Sequence, residues 1–200
     1  MWYASFEVTM MHAKTQAQYE AIIKICKTLF EKKTRDYGTA WRILRLPSIT
    51  DQIMIKAKRI RTIQEHDEKR VSEGIPEELI GIINYSVIAL IQITDAHYET
   101  IELTYDTLAP LYDRVIATTM QLLHDKNHDY QEAWRDMRVS SMTDIISMKL
   151  LRVKHIEDNQ GMTLVSEGVA ANYRDIINYA VFALIRLGYV PEATNVKERS

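Results

Sequence analysis

The sequence predicts an all-α protein built from two tandem copies of one ancestral unit, docked as a pseudo-twofold helical bundle. Three observations predict it. Sliding the 200-residue chain against itself by 93 positions pairs Leu29–Ile63 with Leu122–Ile156 at 15 of 35 identities, where composition alone gives roughly one in sixteen. After a one-residue insertion, Ser72–Ile91 pairs with Ser166–Ile185 at 11 of 20 identities. Apolar residues recur at helical spacing throughout, and no alternating strand pattern persists anywhere.

Each copy reads as three main helices. The first spans about Gln16 to Lys33, where Ile22, Ile23, Cys26, Leu29 and Phe30 recur on one face. Gly38 and Pro47 interrupt the following stretch, which is a loop or a short helix around Trp41. Thr50-Asp51 is a natural N-cap pair for a second helix reaching about Glu68. The third follows Ser72-Glu73-Gly74, takes Pro76 in its first turn, and runs to about Ile93. In copy two the first helix is expected from Ala109, with Pro110 in its first turn, to Asn127. The second runs from Thr143-Asp144 to Asn159, and the third ends near Leu187. The domain reading is therefore a leader at 1–14, repeat one at 15–98, a linker at 99–108, repeat two at 109–188 and a tail at 189–200. Three short helices bury little by themselves, so the repeats are expected to share one core.

Composition excludes several function classes. Charged residues make up 26% and apolar residues 46%, with a formal charge of −2, as in an ordinary globular chain. Lys and Arg are spread along the whole chain rather than in surplus, so duplex nucleic acid is not an expected partner; phosphate neutralisation supplies much of that affinity. Cys26 is the single cysteine, which leaves no intrachain disulfide and reads as a small buried hydrophobe. No apolar run approaches the roughly 18 residues of a membrane span, and Met1–Met11 lacks the basic n-region of a signal peptide. A cytoplasmic protein without a membrane partner is expected, with Met1, Met10 and Met11 as alternative starts and self-association left open. His124 and His128 are four apart, yet copy one has Glu31 and Arg35 there, so zinc is not expected.

The retained positions are informative because many are polar. Both copies keep Lys33/Lys126, Asp36/Asp129, Tyr37/Tyr130, Trp41/Trp134, Arg42/Arg135 and Arg45/Arg138. They also keep Thr50-Asp51 and Thr143-Asp144, Lys56/Lys149, Arg59/Arg152, Ser-Glu-Gly around Glu73/Glu167, and Ile-Ile-Asn-Tyr around Asn84/Asn178. Apolar neighbours drift, as interchangeable core residues do. Retained charge favours a site or a specific polar network over fold maintenance alone. On the third helix Glu77, Gly81 and Asn84 share a face, while copy two has Ala171, Asp175 and Asn178 there. Each copy therefore seats its acid at a different turn, and the halves are expected to differ in role.

These blocks resemble the nucleotide modification associated domain 1 family. The resemblance covers both repeats, from about residue 16 to 187, and rests on the DYG…W block, Lys-x-x-Arg on the next helix, and the acid and Asn-Tyr of the third. It implies a helical domain found near DNA-base-modification genes, distantly similar to MazG-like all-α nucleoside triphosphate pyrophosphohydrolases. Those hold Mg²⁺ with helix carboxylates. Carried over, the implied metal ligands are Asp36, Glu73 and Glu77, or Asp129, Glu167 and Asp175, with Glu73 and Glu167 also the catalytic carboxylates. Magnesium takes hard oxygen donors and lowers the pKa of a bound water. Lys56, Arg59, Lys149 and Arg152 would grip phosphate oxygens. Tyr37, Trp41, Tyr130 and Trp134 would stack on a base, with Arg42, Arg135, Asn84 and Asn178 as further nucleotide contacts. The dense E-E-x-x-E and E-x-x-D patterns of the MazG kind are absent, and the second helix is basic instead.

Structural roles stand beside each of these. The tryptophans also fit core anchors, and Asp36 and Asp129 fit segment caps or partners of Arg42 and Arg135. Glu73 and Glu167 fit the favourable charge at a helix N-terminus. Asn84 and Asn178 fit a buried network that sets how the halves dock. Three functions are carried forward: a Mg²⁺-dependent (d)NTP pyrophosphohydrolase, a non-catalytic module binding a nucleotide or phosphorylated small molecule, and a structural or interaction protein.

Overall fold

The amphipathic segments form six α-helices, described over residues 2–66, 74–94, 100–130, 132–162 and 167–189 of a computed structural model, with backbone alone at 2–12 and 125–130. Copy one supplies α1 (Trp2–Tyr37), α2 (Leu46–Glu65) and α3 (Ile75–Thr94); copy two supplies α4 (Tyr105–Tyr130), α5 (Val139–Asp158) and α6 (Val169–Arg186). A 3₁₀ turn follows the first helix of each copy, at Ala40–Ile43 and Ala133–Asp136. Gly38, at φ +65, closes α1 in the left-handed conformation that suits glycine. No strand occurs among the described residues.

Four helix starts differ from the sequence reading. The expected leader is helical backbone, since α1 begins at Trp2. Thr50 and Thr143 do not cap α2 and α5. Pro47 sits in the first turn of α2, where its missing N–H costs nothing, so that helix starts at Leu46; α5 starts at the matching Val139. Both threonine hydroxyls then bond back to the carbonyl four residues earlier. Pro110 lies inside α4 rather than in its first turn, because Thr104 opens the helix earlier by accepting the Thr107 N–H.

The centre of the bundle is α3 against α6. Leu79, Ile82, Ile83 and Val87 of α3 are fully buried, as are Tyr173, Ile176, Ile177, Ala180 and Val181 of α6. By length and composition α3 could cross a membrane, against the expectation from its sequence, yet 67% of that window is buried inside the protein. It is the core helix. Around this pair, α2 and α5 pack on α3 and α6 and on each other, while α1 and α4 flank them.

Polar contacts between the copies come in reciprocal sets, and they account for many retained residues. Tyr112 on α4 donates its hydroxyl to Asn84 Oδ1 on α3 at 3.0 Å, and Tyr19 on α1 donates to Asn178 Oδ1 on α6 at 2.9 Å. Tyr19 and Tyr112 are themselves 93 apart. Across α2 and α5, Thr50 donates to Glu157 at 2.8 Å and Gln64 donates to Thr143 at 3.1 Å. Lys154 meets Asp51 at 2.7 Å and Arg61 meets Asp144 at 3.9 Å. Buried and satisfied, the Tyr–Asn pairs each contribute on the order of 1 kcal/mol and fix the docking angle. The exposed ion pairs contribute little.

Candidate functional site

Copy one opens a groove of about 1200 Å³ between α1, α3 and the 3₁₀ turn, somewhat above the usual size of a small-molecule site. One wall is a stripe of α1 at helical spacing, with Ile25 and Leu29 partly buried and Lys24, Thr28, Lys32 and Lys33 exposed. The opposite wall is α3, through Glu77, Glu78, Gly81, Asn84, Tyr85 and Ile88. Trp41 and Leu44 of the 3₁₀ stretch, with Tyr37, close one end, and Tyr189 enters from beyond α6. Aromatic faces and ammonium groups thus share one cleft. Four lysines line it against two carboxylates.

Lys56 reaches this groove from α2. Its stem lies over Gly81, where a Cβ would stand 2.8 Å from Lys56 Cε. Its ammonium meets Glu78 Oε2 at 3.1 Å and sits 6.0 Å from the centre of the Tyr85 ring. Arg59, one turn on, is hydrogen-bonded to Glu78 Oε1. The Glu78 side chain is 4% exposed, whereas those of Lys56 and Arg59 are 25% and 29% exposed. One buried carboxylate therefore holds two half-buried cations, as burial of charge requires.

The same device recurs in copy two with its acid moved. Lys149 meets Asp175 at 2.5 Å, and both side chains are nearly buried, at 14% and 13% exposed. Asp175 is the counterpart of Gly81, and the counterpart of Glu78 is Asn172. This corrects the expected exchange of Glu77 for Asp175. Glu77 is exposed and accepts the Gly74 N–H at 2.8 Å, so the acid partnering the second-helix cations is its neighbour.

The remaining expected site residues separate into groups. Tyr37, Trp41, Lys56, Glu77 and Asn84 line the groove together. Burial, with Tyr85 and Asp36 nearby, raises the Tyr37 pKa above the ordinary phenol value. Asp36 is exposed at the end of α1. Arg42 is buried and donates to the Thr100 carbonyl at 2.6 Å, tying the turn to the segment before α4. In copy two Trp134 is a core anchor: it is 5% exposed and stacks on Phe182 at 4.2 Å and 5°. Arg135 lies over Trp134, 4.4 Å from its ring centre, and donates to Glu132 at 2.5 Å and to Gln18 at 3.1 Å. Arg152 and Glu167 are exposed. Glu73 and the side chains of Asp129 and Tyr130 lie outside the described residues.

Asn84 is in the groove wall, yet its amide is already used: Nδ2 donates to the Cys26 carbonyl at 3.0 Å while Oδ1 accepts from Tyr112. Both asparagines therefore act first in docking the repeats. Magnesium would need hard oxygen donors converging on one point. Among the described residues no group of three or more His, Cys, Asp or Glu is so placed. Both Glu78 oxygens face cations, and of the expected ligands among the described residues only Glu77 lines the groove. The described donor set does not fit the ion. Sequence reasoning missed Glu78, Lys24, Lys32, Tyr85 and Tyr189 here, and the Tyr19/Tyr112 pair. Comparing Glu78 with Asn172 at the second offset could have found the first, and extending the 93-residue register back to Tyr19 the last.

Compared with known proteins, residues 33–93 and 126–187 each match one family model, nucleotide modification associated domain 1. No match appears among curated proteins or solved structures.

Proposed function

The chain belongs to the nucleotide modification associated domain 1 family, and from that premise we propose that it binds a phosphorylated nucleotide in the groove of copy one. The observation that carries this reading is the pairing, in one cleft, of aromatic faces at Tyr37, Trp41 and Tyr85 with the ammonium groups of Lys24, Lys32, Lys33 and Lys56. A base has a π-face that stacks on an aromatic ring, and stacking contributes about 1–3 kcal/mol per base where it has been measured on single strands. Phosphate oxygens are met by the lysines as point charges. The surplus of cations in the groove favours an anion with more than one negative charge. Polyphosphates gain more than monophosphates from the same rim.

Hydrolysis between the α- and β-phosphates is the finer form of this reading, and it rests on the family resemblance together with Glu77 at the groove wall. Glu73, the expected catalytic carboxylate, lies outside the described residues, so no hydrolytic step is derived. Binding is the reading the groove supports best.

The test is a thermal-shift titration of the full chain with nucleoside and deoxynucleoside mono-, di- and triphosphates, with and without Mg²⁺, followed by chromatography of the same mixtures. At a hundredfold excess over the dissociation constant, a ligand stabilises by about 2.7 kcal/mol, which for a chain of this size is a rise of roughly 5–10 °C. No shift with any nucleotide refutes the proposal. Release of monophosphate and pyrophosphate, abolished in Glu73→Ala, would add catalysis to binding.

A further inference from the structure

We infer that copy two carries a second anion site, built from Arg114 of α4 and Arg174 of α6, which takes a phosphate or pyrophosphate group rather than a base. Neither arginine makes an ion pair among the described residues, and the duplication sets both in one cleft. This site stands apart from the groove of copy one and does not depend on it.

Matched positions place the two cations. Arg114 is the counterpart of Ala21 at the 93-residue offset, and Arg174 that of Ile80 at the 94-residue offset. Ala21 on α1 and Ile80 on α3 both line the groove of copy one. The pseudo-twofold therefore puts an arginine on each wall of the matching cleft between α4 and α6, which pack together. Copy one has an apolar residue at both places, so these cations belong to copy two alone.

No acid accompanies either of them. An arginine on a helix ordinarily meets a carboxylate three or four residues away, and those places around Arg114 and Arg174 hold no Asp or Glu. The acids adjacent in sequence are engaged with other cations: Asp113 meets Lys27 at 2.6 Å and Asp175 meets Lys149 at 2.5 Å. Glu77 and Glu78 of the groove become Ala171 and Asn172 here. Arg114 is exposed, whereas Arg174 is half-buried and its Nε is buried without a hydrogen-bond partner. A donor taken out of water without a partner costs free energy, and an unpaired charge costs more. An oxyanion answers both, because it accepts two parallel N–H bonds in the fork that a guanidinium presents.

The ligand class follows from what copy two does not offer. Trp134 is 5% exposed and stacks on Phe182 at 4.2 Å, so it gives a base no platform. Two arginines without that platform recognise the phosphate group by itself.

The experiment is calorimetric titration of the full chain with inorganic pyrophosphate and, separately, dATP, on the parent, Arg174→Ile and Arg114→Ala. Both substitutions install the copy-one residue. With the groove also taking a polyphosphate, the parent should bind two pyrophosphates per chain and each variant one. Without ligand, Arg174→Ile should unfold no earlier than the parent, since Ile80 fits the matching place at 4% exposed; an arginine that merely held the fold would cost stability when removed. Should that variant fail to fold, the exposed Arg114→Ala decides the matter alone. Loss of one dATP per chain in the variants would assign the site to the phosphate tail of a nucleotide, and unchanged dATP binding would assign it to the free anion. One pyrophosphate per chain, lost in the variants, would keep this site and count against the groove reading instead. Pyrophosphate binding unchanged in both variants, or absent from the parent, would overturn the inference.

Discussion

Removing one phenolic oxygen tests how the repeats are held together. In Tyr112→Phe the ring still fills its buried place beside Phe30, 5.1 Å between ring centres, so no cavity opens. What is lost is the hydrogen bond to Asn84 Oδ1, leaving a buried acceptor while Nδ2 keeps the Cys26 carbonyl. A buried group stripped of its partner costs about 1–3 kcal/mol. Taking 2 kcal/mol, the midpoint of thermal unfolding should fall by roughly 4–8 °C. Tyr19→Phe removes the reciprocal bond to Asn178 and should cost a similar amount. Neither variant should change dATP affinity, because both asparagines serve the interface. The assay is thermal and urea unfolding followed by circular dichroism, with dATP titration on the same samples. Midpoints within about 1 °C of the parent for both variants would refute the claim that these bonds hold the copies together. A loss of affinity in Tyr112→Phe without a loss of stability would return Asn84 to the ligand.

The tryptophan pair should divide stability from binding. Trp134→Ala, which empties a buried stack on Phe182, should cost about 3–5 kcal/mol; Trp41→Ala, on the groove wall, should cost less and weaken dATP binding. Denaturant midpoints and titrations on both would show whether the order reverses. Glu78→Gln should lower stability by about 2 kcal/mol, since two cations lose a charged partner, and should tighten inorganic triphosphate; weaker binding would contradict the charge argument. Burial raises the Glu157 carboxyl above its ordinary pKa; the Thr50 hydroxyl opposes that, Asp51 and Asp158 add to it, and Lys154 opposes it. A raised folded-state pKa stabilises the fold fully below the unfolded value and loses that contribution as pH rises through the folded one. Glu157→Gln, which installs the amide copy one carries at Gln64, should therefore gain on the parent as pH climbs from 4 to 7. A gap in midpoint that stays flat or narrows over that range would show the reasoning wrong.

How much was legible in the sequence depends on what kind of interaction each residue makes. Helix number, repeat register and the central apolar helices could be read, because periodicity and duplication are properties of one chain position against another. The starts of α2 and α4 could not, because Pro47 and Thr104 compete with nearer capping signals and the winner is set by the whole first turn. Tyr37, Trp41, Lys56 and Glu77 were read as site residues and do share one groove. Retention in both copies proved a mixed signal, however. It marks Thr50/Thr143, Asp51/Asp144 and Asn84/Asn178 because they bond across the pseudo-twofold. A groove residue carried by one half only leaves no such trace, which is why Lys24, Lys32 and Glu78 escaped notice.

That contrast gives a physical rule for reading duplicated folds. Interface contacts about a pseudo-twofold axis are reciprocal, so loss on one side leaves an unsatisfied partner on the other, at about 1–3 kcal/mol for a buried group. Selection for stability therefore keeps such residues paired. A groove away from the axis carries no such penalty: Lys24 can become Ala117, and Ile88 can become Phe182, which stacks on Trp134. The acid partnering Lys56 and Lys149 shows the intermediate case. It can migrate from Glu78 to Asp175, one turn along the helix, because each lysine needs a carboxylate but not a particular one.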